Sequence, residues 1–244
     1  MSTTLRPELR AKVDGMLDAL IERFYQEVPY AKHQLAEGKL DLDYYKRHNI
    51  ETVLRIRLKR IVDAYAIRYF TKHDPVQAKA WAHYTDDEML HDAMFVRDLE
   101  AVGVSKPAIY ATEPLLATKL LMGYLLYGIE YEETPLAHIA SVYFVEYTTT
   151  KTQPRWLDHL ETILGKEKIK GARAHVGTDL EGEHADFVWE VLMSLVKTPA
   201  EEARVIDHIR NVARLYVAYF TEIYEQVVAQ KTGQAPELRV ALTV

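Results

Sequence analysis

Apolar side chains recur at spacings of three and four along most of this chain, a period that suits helices and little else. Leu9, Val13, Leu17, Leu20, Ile21 and Phe24 form one such stripe over residues 7–26. No run of alternating apolar and polar residues interrupts the pattern, and no repeat or low-complexity linker divides it. Punctuation is sparse, with 10 glycines and 9 prolines in 244 residues, most of them between periodic stretches.

Those breaks set the expected elements. Pro29 and Gly38 interrupt residues 28–40, and Asp41 or Asp43 can cap a long helix to about residue 70. Pro75 suits the first position of a helix over 75–102, with a loop at 103–111 to follow. Helices are expected over 112–131, 134–150, 154–165 and, despite Gly171, Gly177 and Gly182, over 167–196. Thr198-Pro199-Ala-Glu-Glu combines an N-cap, a first-turn proline and acidic residues, and opens a last helix to about residue 230. The expectation is an all-α, single-domain bundle of seven or eight helices over 1–244, with its core in about 7–230 and antiparallel neighbours.

Composition closes several functional classes. Thirty basic against 36 acidic residues leave a formal charge of −6, with no basic tract to neutralise phosphates, so no nucleic acid partner is expected. There is no cysteine, which removes disulfides, thiolate zinc sites and cysteine nucleophiles. The most apolar stretch, 115–129, is about 15 residues, short of the roughly 20 that span a bilayer. The N-terminal segment lacks an apolar core followed by a small-residue cleavage site, so neither membrane nor secretion is expected. A cytoplasmic location fits.

Three stretches carry residue types that bind metal. Glu88 and His91, three apart, lie about 60° from each other on a helix and can reach one ion. Glu146 interrupts an apolar run that includes Val142, Phe144 and Val145, where a carboxylate must be paired, bound to metal or turned to solvent. His175 and Asp179, four apart, share a face, with His184 beyond them. Each pair has a bland reading, as a surface ion pair or a structural hydrogen bond. Taken together, a Glu-x-x-His pair with further carboxylates and imidazoles on other helices is the logic of di-iron bundles.

With these motifs in view, the chain resembles a known family. The run Val28-Pro-Tyr30-Ala-Lys-His-Gln-Leu-Ala-Glu-Gly38-Lys-Leu40, then Tyr44-Tyr45-Lys-Arg-His48-Asn, is similar to the opening of haem-oxygenase-like proteins of the TenA (thiaminase II) and PqqC kind. The order Glu88-x-x-His91, Glu146, His175-x-x-x-Asp179, His184 resembles that superfamily's di-iron oxidases and oxygenases, including the CADD-like p-aminobenzoate-forming branch.

The resemblance implies a di-iron or Mn/Fe site that activates O2 against an amino-acid-like or fatty-acid-like small molecule, with a homodimer as the fold-level expectation. One iron would take Glu88, His91 and His175. The other would take Asp179 and His184, with Glu146 bridging or terminal. Tyr30 falls near the tyrosine that CADD-like proteins are thought to consume, and Lys151, with Arg155, could neutralise a substrate carboxylate.

Two departures from the family stand out. Asp179 and His184 are five apart, about 140° on a regular helix, so a π-bulge near Gly182 is needed, or Glu183 or Glu181 replaces His184. Where some members carry a glutamate seven residues before the third-helix histidine, this chain has Tyr84. His48 and Glu51 are candidate outer partners of the site, His138 a satisfied core histidine, and Arg55, Arg57, Lys59 and Arg60 a solvated basic face. The competing readings are a cofactor-independent PqqC-like oxidase and a metal-free helical interaction module. A thiaminase-like hydrolase would lack its cysteine nucleophile.

Overall fold

The structure, a computed structural model, describes residues 6–35, 38–181 and 184–233, with side chains 178–183 excluded. Its helices are α1 (Pro7–Glu27), α2 (Leu42–His73), α3 (Pro75–Glu88), α4 (Asp92–Ala101), α5 (Lys106–Ala111), α6 (Leu116–Glu130), α7 (Leu136–Leu164), α8 (Lys170–Glu181), α9 (His184–Leu195) and α10 (Pro199–Tyr224). No strand occurs among the described residues, and no helix of theirs is long and apolar enough to cross a membrane.

Helix starts follow the capping signals. Asp41, rather than Asp43, caps α2 by accepting from the Asp43 and Tyr44 amides at 2.9 and 3.1 Å. Asp74 caps α3 in the same way, with Pro75 behind it, and Thr198 forms a reciprocal capping box with Glu201 at the start of α10. The start of α6 is capped from a distance. Glu222 accepts from the Leu116 and Ala117 amides at 3.1 and 2.8 Å, and Glu51 accepts from the Leu115 amide at 3.1 Å. Carboxylates there meet the positive end of the helix dipole.

Three expected boundaries are corrected. The helix over 75–102 is two helices, because the amides of Met89, His91, Ala93 and Met94 bond three residues back instead of four; His91 to Glu88 (3.3 Å) and Met94 to His91 (3.1 Å) are examples. The loop at 103–111 contains α5, whose first turn is capped by Ser105 and carries Pro107. The helices over 134–150 and 154–165 are one, with Pro154 inside α7. A proline removes one backbone donor, but the hydroxyls of Thr148, Thr150 and Thr152 bond carbonyls of this stretch at 2.7–2.8 Å and supply others.

Helix α7 crosses the core, packed by α1, α6, α8, α9 and α10. Ile139, Tyr143, Trp81, Trp189, Val188 and Ile209 are all fully buried in one cluster around it. A second layer is set by α8 against α4. A β-carbon at Gly171 would run into the Met94 carbonyl. The Gly171 and Ala172 amides donate to Asp98 at 2.8 Å each, so an acid from α4 caps α8. His175 sits one turn further along.

Candidate metal centre

Helices α3, α7, α8 and α9 bring their acids and histidines to one place. Glu146 is held in the middle of α7 at 5% exposure, and His91 is 4% exposed. The backbone bonding after Glu88 matters here, since residues three apart eclipse when the backbone tightens to an i→i−3 pattern. His91 Nδ1 accordingly stands 3.1 Å from Glu88 Oε2. The pair is therefore interior, which excludes the surface-pair alternative.

Two groups result. Potential ligand atoms of Glu88, His91 and His175 all lie within 4.8 Å of one another, and so do those of Glu88, Glu146 and His184. Glu88 belongs to both. While Oε2 faces His91, Oε1 is 3.8 Å from His184 Nδ1, which in turn is 4.0 Å from Glu146 Oε2. The His91 and His175 rings meet edge to face at 4.6 Å. Asp179, Glu181 and Glu183, with the π-bulge expected at Gly182, lie outside the described side chains. His184 is the first described residue of α9, and its ring nitrogen reaches both Glu88 and Glu146.

Glu88 Oε1 is buried with no hydrogen-bond partner, while His91 Nδ1 stands beside the other oxygen, Oε2, at 3.1 Å. Buried polar atoms are almost always satisfied. Carboxylate and imidazole atoms gathered this closely in the interior could hold a cation. Carboxylate and imidazole donors match iron or manganese better than a soft metal.

The surroundings hold Glu88 and Asp63 charged. Burial alone would raise the Glu88 carboxyl, yet His91, Lys59 and His175 outweigh it and hold it below the usual carboxylate range. Lys59 is kept protonated against its own burial by Asp63, Glu88 and Glu146. Asp63 accepts from Lys59 at 2.8 Å and meets His138 Nε2 at 2.7 Å. Burial opposes its ionisation, but Lys59 and His138 hold Asp63 down to about 2. Tyr84, four residues before Glu88 on α3, donates to Glu146 Oε1 at 2.5 Å. Burial and the two nearby glutamates push its hydroxyl far up, so it remains a donor.

Several expected residues lie elsewhere. The Tyr30 hydroxyl donates to the Lys39 carbonyl at 2.7 Å and its ring stacks on His33 at 4.4 Å, away from the acids. Lys151 is exposed, 3.6 Å from Asp18, and Arg155 is exposed as well. His48 pairs with the Tyr219 hydroxyl at 2.8 Å, and Glu51 with Arg47 at 2.8 Å, so neither supports the centre. The basic face over 55–60 is corrected. Arg57 is exposed, but Arg55 and Lys59 line an interior cavity and Arg60 pairs with buried Asp92. Tyr84, Lys59 and Asp63 are the residues that sequence reasoning missed as supports. Their signal was the four-residue spacing of Lys59 to Asp63 and of Tyr84 to Glu88.

A cavity of about 280 Å3 is lined by Glu88, Glu146 and His175 and by Phe24, Leu121, Tyr216 and Phe220 among others. Similarity to solved structures spans nearly the full chain. A domain of unknown function with a heme oxygenase-like fold from Shewanella denitrificans superposes with a TM-score of 0.77, at 21% identity over 93% of this chain and 95% of that one. This chain has the haem-oxygenase-like fold. A TenA homolog from Pseudomonas syringae pv. tomato shares that fold with a TM-score of 0.68, at 14% identity over 90% of this chain and 93% of the other. No family model and no curated protein matches the sequence.

Proposed function

We propose that this haem-oxygenase-like chain is a non-haem di-iron oxidase or oxygenase that uses O2 to oxidise a small molecule of amino-acid or fatty-acid type. The observation that carries the reading is the shared carboxylate, Glu88, with one oxygen toward His91 and the other toward His184. Glu88, His91 and His175 would hold one ion, and Glu88, Glu146 and His184 the other. Glu88 is favoured over Glu146 as the bridge because it alone is common to both groups. Asp179 keeps its place as a sixth ligand on sequence grounds. Iron in both positions, or manganese with iron, suits this donor set.

Such a metal pair supplies the electrons and the O2-binding position that these side chains lack. The chain's own part is orientation and exclusion of water. Tyr84 fixes one oxygen of Glu146 and leaves the other toward His184. Lys59, tied to Asp63, offsets the negative charge of the two glutamates without displacing them. The apolar side of the cavity keeps the substrate beside the acids in a dry environment, where fixed charges act most strongly.

O2 uptake by the Fe(II)-loaded chain tests the reading. Uptake should exceed that of free Fe(II) and be lost in a folded Glu88→Gln variant. Uptake no faster than free Fe(II) would leave a metal-free binding module as the better account.

A further inference from the structure

Arg55 is the charged residue of the cavity that the proposed chemistry does not use. It lies four residues before Lys59 on α2, about 6 Å along the helix axis and away from the acids. Its guanidinium rests over the Tyr219 and Tyr216 rings, at 4.5 and 5.2 Å to their centroids. Nη2 donates to the Thr52 hydroxyl at 3.2 Å, and Nη1 is buried with no hydrogen-bond partner.

No carboxylate among the described residues lies within ion-pair distance of it. The nearest acid on its own helix, Glu51, is already engaged by Arg47 at 2.8 Å, by the Leu115 amide at 3.1 Å and by the Thr118 hydroxyl at 2.5 Å. His48, one turn before Thr52, offers no negative charge in any state, and burial and Arg55 push its ring down to about 3 so that it adds no second cation. Lys59 and Arg60, the neighbouring cations, both have carboxylates. An interior guanidinium that faces a cavity with only aromatic faces and one hydroxyl is costly unless an anion joins it. Arginine is the side chain best shaped to receive a carboxylate with two parallel hydrogen bonds.

We infer that Arg55 anchors the carboxylate of an apolar-bodied monocarboxylate substrate, which points its hydrocarbon part toward Glu88 and Glu146. The carboxylate is thus held at the cation end of the cavity and not by the metal ligands, so oxidation falls on a carbon distant from it. The inference deepens the proposed function and rests on it for the word substrate, but its binding claim stands without metal.

Calorimetric titration of the metal-free chain with octanoate and with its neutral counterpart octanamide tests the assignment. Octanoate should bind about tenfold more tightly than octanamide, the worth of charge-assisted hydrogen bonds. Arg55→Met should erase that preference, and Arg55→Lys should keep part of it. Added Fe(II) should change octanoate affinity by no more than about twofold, because the anchor is not a metal ligand. Equal binding of the two ligands, no octanoate binding, a preference that survives in folded Arg55→Met, or a large gain on adding Fe(II) would overturn the assignment. Iron loading is read on the same samples. Preference without iron binding sinks the di-iron reading alone, and iron binding without preference sinks the anchor alone.

Discussion

The Tyr84 hydroxyl donates a 2.5 Å hydrogen bond to Glu146 Oε1, joining α3 to the middle of α7 across 62 positions of sequence. A bond from a neutral donor to a buried carboxylate is worth about 1.5–3 kcal/mol. Tyr84→Phe should lower the stability of the metal-free chain by roughly that amount in urea unfolding. It should also weaken iron binding about tenfold while leaving the number of ions unchanged, as loss of a partner behind a ligand does. Unaltered stability and affinity would mean that the bond does not hold Glu146.

Glu88 and His175 differ in what they serve. His175 belongs to one of the two groups and Glu88 to both. His175→Ala should therefore halve the iron bound per chain, and Glu88→Gln should remove nearly all of it, with helical circular dichroism retained in each. Equal losses in the two variants would argue against a shared carboxylate.

Much of the scaffold was legible because capping is local. Asp74-Pro75 and Thr198-Pro199 mark helix starts from side chains within four residues of the amides they satisfy. The tightened turn at Met89–His91 was not, since Glu88-Met89-Leu90-His91 contains neither glycine nor proline and reads as continuous helix. Pro154 misled in the opposite direction, marking a break inside an unbroken α7. The grouping of Glu88, Glu146 and the histidines was suggested by residue type, and the sharing of Glu88 needed the crossing of four helices. Arg55 and Lys59 were invisible as interior groups, because cations one turn apart on a long helix look the same facing a cavity as facing water.

Gly171 makes a separate prediction about the path from packing to site. A methyl group there would strike the Met94 carbonyl, so Gly171→Ala should cost about 1–3 kcal/mol by overpacking. It should also disturb Asp98 as the cap of α8 and weaken iron binding at the His175 half. A methyl group at Gly15, in α1, would meet nothing within 4 Å, and Gly15→Ala should instead stabilise by up to about 1 kcal/mol. Similar effects at both positions would contradict a close approach of α8 to α4 at Gly171.

Acid should weaken the fold in two stages. Burial holds the His33 ring down to about 4 and the His48 ring to about 3, so both remain neutral in the folded chain below the ordinary 6.5. Between about pH 6.5 and 4 the unfolded chain takes up protons that the folded chain refuses, and stability falls by up to about 1.4 kcal/mol per pH unit for each ring. Asp63, held to about 2, acts lower, its contribution being complete above about pH 4 and lost as pH falls through 2. Urea unfolding at pH 7, 6 and 5 should show the first stage, with a shallower slope in His48→Gln. A slope unchanged by that substitution would contradict the assignment to His48.

Anaerobic titration with Fe(II), read as ions bound per chain, addresses the shared Glu88 most directly. Binding should saturate near two equivalents in the wild type and near none in folded Glu88→Gln. No saturable binding in the wild type, or two equivalents still bound in Glu88→Gln, would contradict it.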